Sequence, residues 1–130
     1  MYNCQHTQQR DVTKAAFVIL ADTGSMGGLG RVVNALEAAK EFVETPGDHV
    51  YIIFDGAGTK WVPELKDEAH DYHHLYAAVE EVVRVCDYCA DVFDVEDAIT
   101  EGQRVSSLAE YDGHPSIRSL VDDDFEIITY

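Results

Sequence analysis

Basic residues are scarce in this chain. Nine lysines and arginines face 25 aspartates and glutamates among 130 residues, a formal net charge of −16 with histidine neutral. Binding to nucleic acid or to an anionic membrane surface depends on clustered lysine and arginine, so neither partner is expected. Long hydrophobic runs are missing too. None approaches the roughly 20 apolar residues needed to span a bilayer, and residues 1–10 lack the apolar core of a secretion signal. Cysteine occurs only as Cys4, Cys86 and Cys89. An odd number without a secretion signal argues against a disulfide framework and for reduced thiols. The expectation is a soluble cytoplasmic protein.

What is present is enough to fold. Hydrophobic residues make up 46% of the chain, and its length suits one domain rather than two. Residues 1–12 are polar and patternless and read as a mobile tail, leaving residues 13–130 as the domain. The acids are spread along the whole length, and lysine is confined to Lys14, Lys40, Lys60 and Lys66. Such a surface could steer a basic partner or cations. The favoured reading is adaptation to high salt, where screening relieves self-repulsion.

Hydrophobic periodicity alternates between strand and helix. Residues 15–20 and 49–54 are short apolar runs rich in β-formers, the pattern of strands buried on both faces. Between them, the glycine-dense segment from Asp22 to Gly30 reads as a loop. Leu29, Val32, Val33, Leu36, Ala39 and Val43 then mark an amphipathic helix that ends at Thr45-Pro-Gly-Asp48. Residues 61–65 suggest a helical turn. Tyr72, Leu75, Tyr76 and Val79 mark a helix, whereas residues 82–86 fit helix or strand equally well. Cys89, Val92 and Phe93 indicate another short helix, and Arg104 to Ser106 a brief strand. His114-Pro115 reads as a helix start with proline at the first helical position, followed by a C-terminal strand over residues 125–130. Strands joined by helical crossovers imply an α/β fold, a three-layer α/β/α sandwich with a mainly parallel sheet of about five strands.

In such sheets ligands bind beyond the carboxyl ends of the strands, which points to residues 21–28, 55–60, 86–89 and 107–114. The glycine loop lacks the third glycine of a dinucleotide fingerprint and the lysine of a phosphate loop, so a flavin or nucleotide site ranks last. His70, His73 and His74, near Asp71, could complete a zinc site with Cys86 and Cys89, but their spacing fits no compact motif; a helix surface is the simpler reading. His114, beside the proposed crevice, could orient a ligand or thiol. The pair Cys86-Asp-Tyr-Cys89 carries the most chemistry. If residues 82–85 form a strand, Cys86 lies at its end and at the mouth of the next helix, where free amides favour the thiolate. Arg84 acts in the same direction, Asp87 and the net charge of −16 act against it, and the sign of the balance stays open. Cys89, one turn on, could resolve a persulfide or disulfide, or simply be a small buried residue.

The order of strand, glycine-rich loop, helix, Phe54-Asp-Gly-Ala-Gly58, Val85-Cys-Asp-Tyr-Cys-Ala-Asp-Val-Phe93 and Gly113-His-Pro-Ser116 with a terminal strand resembles the DsrE/DsrF-like family over residues 13–130. The resemblance implies a flavodoxin-like domain, a strand at residues 82–86, and a sulfur-relay role with a persulfide on Cys86. It also implies trimers or hexamers working with donor and acceptor proteins. The expected catalytic residues are Cys86 and Cys89, supported by Asp22, Asp55, Gly56, Gly58 and His114, with no cofactor and no metal. The competing expectation is a non-catalytic oligomeric module in which Cys86, Cys89 and His114 bind a metal or small ligand.

Overall fold

The computed structural model describes residues 12–105, 108 and 110–130. The expected N-terminal tail with Cys4, and the Ser106 end of the brief strand, lie outside those residues. Strands β1 (Lys14–Ile19), β2 (His49–Phe54) and β3 (Val83–Val85) alternate with helices α1 (Met26–Val43), α2 (Trp61–Lys66) and α3 (His73–Val79). There follow α4 (Asp87–Val92), a hairpin of β4 (Glu110–Tyr111) and β5 (His114–Pro115), α5 (Ile117–Asp122) and β6 (Glu126–Thr129).

Among the described residues the main sheet has four strands in the order β3-β2-β1-β6, and all three pairings are parallel. A single parallel bridge between Val85 and Arg104 continues it past β3. The two central strands are the two apolar runs. Alternate residues of β1 feed opposite cores: Ala15, Phe17 and Ile19 pack with α1, α2 and α3, whereas Ala16 and Val18 pack with Leu120 and Phe125. Side chains that alternate across a strand therefore build both outer layers, and each fully buried Ile, Leu or Phe contributes about 1.5–3 kcal/mol. The three-layer α/β/α arrangement is as expected.

Two local readings change. The glycine-dense stretch is loop only up to Ser25. Its Oγ accepts the Gly28 amide at 3.0 Å as the α1 cap, so residues 26–30 are already helical. His114-Pro115 does not begin a helix. Asp112 (φ 53°) and Gly113 (φ 86°) are both left-handed and connect Tyr111 to His114, which are paired across the hairpin. Two positive φ angles in a two-residue connection define the tight hairpin turn that Asp-Gly favours. The next helix starts only at Ile117, capped by Ser116. The ambiguous stretch after α3 divides into a 3-10 turn over Glu80–Val82 and β3 over Val83–Val85.

Candidate functional site

Cys86 follows the last residue of β3, where its amide donates to Phe54 O at 2.9 Å and carries the sheet one residue further. Its sulfur accepts the Cys89 amide at 3.4 Å, as the cap of α4. One helical turn places Cys89 beside Asp55, the first residue beyond β2, and the Cys89 thiol donates to Asp55 Oδ1 at 3.5 Å. Asp55 is fixed in turn because the same oxygen accepts the Gly56 amide at 2.8 Å. The hairpin brings in the fourth group: His114 Nδ1 lies 3.4 Å from Cys86 Sγ. One ligating atom from each of Asp55, Cys86, Cys89 and His114 lies within 4.8 Å of all the others.

Local packing explains why the hairpin sits there. The His114 ring lies 4.7 Å from the Tyr88 ring at 44°, and Tyr88 N donates to Gly113 O at 3.2 Å. The Cys86 thiol is also within 3.6 Å of that carbonyl. A Cβ on Gly113 would stand 3.3 Å from Tyr88 Cβ, so glycine supplies both the backbone angle and the close approach. Both thiols are free.

Burial decides the electrostatic balance at Cys86 that the sequence leaves open. Cys86 has 0% exposure, and burial holds its thiol well above the ordinary cysteine range, with the Asp55 charge adding to the effect and the Cys89 amide opposing it. Desolvation of a charged sulfur outweighs one hydrogen bond from an amide. Arg84 does not assist: its guanidinium donates to Glu81 O and Val83 O and lies over the Tyr51 ring. Burial also raises the Asp87 carboxyl, with Arg104 opposing.

The other expected residues are placed apart from the sulfurs or serve packing. Asp22 is exposed and paired to Lys60 Nζ at 2.9 Å, which holds its carboxyl below the usual range. Gly58 packs on the end of β1, where an added Cβ would collide with Ile19 O, and one on Gly56 would meet Leu20. His70 Nδ1 accepts the Tyr72 amide and His73 Nδ1 pairs with Leu65 O; with His74 they stay outside the cysteine cluster. The contribution of Tyr88 and the Asp112-Gly113 turn was missed, although Asp-Gly is itself a hairpin signal.

No protein-family profile matches the chain, and no solved structure matches it. The chain is similar to an uncharacterized protein of Methanocaldococcus jannaschii, 29% identical over 97 residues that cover 75% of this chain and 78% of the relative.

Proposed function

We propose that the chain is a DsrE/DsrF-like sulfur carrier that stores sulfane sulfur as a persulfide on Cys86 and is filled through Cys89. The observation that carries this reading is two free thiols held with His114 and Asp55 at the carboxyl ends of β2 and β3. Cys89, the half-buried thiol, is the one an arriving donor meets. Its thiolate attacks the outer sulfur of a donor persulfide, forming Cys89–S–SH and releasing the donor's thiol. Cys86 then attacks that same outer sulfur. His114 Nδ1, 3.4 Å away, accepts the Cys86 proton, and Cys89 departs as thiolate. One sulfur–sulfur bond replaces another at each step, so no external oxidant or reductant is consumed. Because Cys86 is wholly buried, this step requires the hairpin over it to yield and admit the added atom.

Burial suits a store better than a surface nucleophile, because a sealed persulfide is out of reach of bulk thiols. A reducing compartment such as the cytoplasm keeps the pair free. Exposed Tyr88 and Val92 on α4 and Tyr111 on the hairpin lie close to the cysteines and His114 in the chain, and they offer donor and acceptor proteins, or further copies in a trimer or hexamer, an apolar contact. The test is intact mass after sulfane loading and a brief wash with a monothiol. Wild type should retain one added sulfur, whereas Cys89→Ser and Cys86→Ser should not. Equal retention in wild type and both variants would overturn the assignment.

A further inference from the structure

The four groups at the sheet end have a second chemical capacity. Two thiols, an imidazole nitrogen and a carboxylate oxygen match the donor types zinc takes in closed four-coordinate sites. With Zn–S near 2.3 Å and Zn–N or Zn–O near 2.0–2.2 Å, tetrahedral ligand atoms stand about 3.3–3.8 Å apart. Cys86 Sγ to His114 Nδ1 is 3.4 Å and Cys89 Sγ to Asp55 Oδ1 is 3.5 Å, two opposite edges of such a tetrahedron. The widest separation in the set, 4.8 Å at most, closes with a movement of about 1 Å.

We propose that Asp55, Cys86, Cys89 and His114 form a four-coordinate site for Zn2+. The scaffold is already built. Asp55 and Cys86 follow adjacent parallel strands, Cys89 is one helical turn from Cys86, and the His114 ring is packed on Tyr88. The Cys89 amide already points at Cys86 Sγ, a hydrogen bond that supports a metal-bound thiolate, and the Gly56 amide orients Asp55. Magnesium and calcium prefer six or more oxygen ligands, and this cluster offers a single carboxylate, so the donor set selects a soft or borderline ion. Binding displaces the two thiol protons and engages both sulfurs. On the carrier reading, on which this consequence alone rests, zinc would block sulfur loading at the same site.

Cobalt titration of the reduced, chelator-stripped full chain tests the site, in molar KCl with excess Mg2+ to suppress loose binding to the acidic surface. Wild type should bind one Co2+ with a thiolate-to-cobalt charge-transfer band and intense visible bands, and one equivalent of Zn2+ should abolish both. Cys89→Ser, at a part-exposed position, and His114→Ala should weaken binding at least about tenfold while keeping the wild-type circular dichroism. Absence of the charge-transfer band in wild type, or equal titrations in wild type and Cys89→Ser, would overturn the site. Sulfur retention measured on the same metal-free preparations separates the two readings. Retention without cobalt binding removes only the metal site, and cobalt binding without retention removes only the carrier.

Discussion

Cys86 Sγ and His114 Nδ1 stand 3.4 Å apart across 28 positions of chain, and an Asp-Gly turn makes that meeting possible. Asp112 and Gly113 both adopt left-handed backbone, so the chain reverses tightly enough to lay His114 over α4. The site therefore depends on a turn residue as much as on its ligating side chains.

Gly113→Ala tests that dependence. Alanine at a φ of 86° costs about 1–2 kcal/mol, and its Cβ would press on Tyr88 at 3.3 Å. The melting midpoint should fall by several degrees. Alkylation of Cys86 should become faster, because the lid over it loosens. An unchanged Cys86 labelling rate would show that the hairpin does not control access.

The two thiols should also differ in their response to pH. Cys86 is wholly buried and its thiol is pushed up, so it stays protonated at neutral pH. Only the thiolate reacts with an alkylating agent. Labelling followed by peptide mass analysis should find Cys89 modified first at pH 7. Cys86 should lag and continue to accelerate at pH values where an ordinary cysteine, near 8.5, has levelled off. Early saturation of Cys86 labelling would contradict its desolvated environment.

Much of this arrangement is legible in the sequence, for identifiable reasons. The strands at residues 15–20 and 49–54 announce themselves because central parallel strands are apolar on both faces. Asp55, Cys86, Cys89 and His114 all stand out in the sequence because strand ends in such sheets gather chemistry. Asp22 stands out by the same rule. Sequence could not foresee that Lys60 would draw its carboxylate away, since that pairing joins two loops across the fold. Residues 82–86 stayed ambiguous because β-branched residues at helical spacing satisfy both periods. Proline after His114 masked the hairpin, although Asp112-Gly113 indicated it. The sign of the Cys86 shift depends on burial, which no local pattern reports.

A buried polar pair outside the site offers a stability test. Gln103 Nε2 donates to Tyr76 OH at 3.1 Å, and Gln103 Oε1 accepts the Thr100 amide at 3.3 Å. Tyr76→Phe keeps the ring against Phe54 but leaves the Gln103 amide without that acceptor. The cost of an unsatisfied buried donor is about 1–3 kcal/mol, which denaturant unfolding should register as a lower midpoint with an unchanged slope. Because Gln103→Leu also removes the acceptor of the Thr100 amide, the pairing is read from the cycle. Tyr76→Phe with Gln103→Leu should cost less than the two single losses added together, and strictly additive losses would remove the pairing from the account.

Salt should stabilise the fold, because acids crowd one another at its surface. Around the end of α4, Asp91 does most to raise the Glu96 carboxyl above its ordinary range, with Asp97 and Asp94 adding to it. The sign follows: a carboxyl raised in the native state favours folding while protonated, and that contribution disappears as pH rises through the raised value. At neutral pH the cluster therefore opposes folding. The Debye length shrinks from about 10 Å at 0.1 M to about 3 Å at 1 M salt, which weakens repulsion among neighbouring carboxylates. The thermal midpoint in KCl should climb by at least about 5 °C over that range. Replacing Asp91, Asp94 and Asp97 by asparagine together should flatten part of the climb. A wild-type midpoint independent of KCl would mean that the acidic surface imposes no repulsive cost, and adaptation to high salt would lose its physical basis.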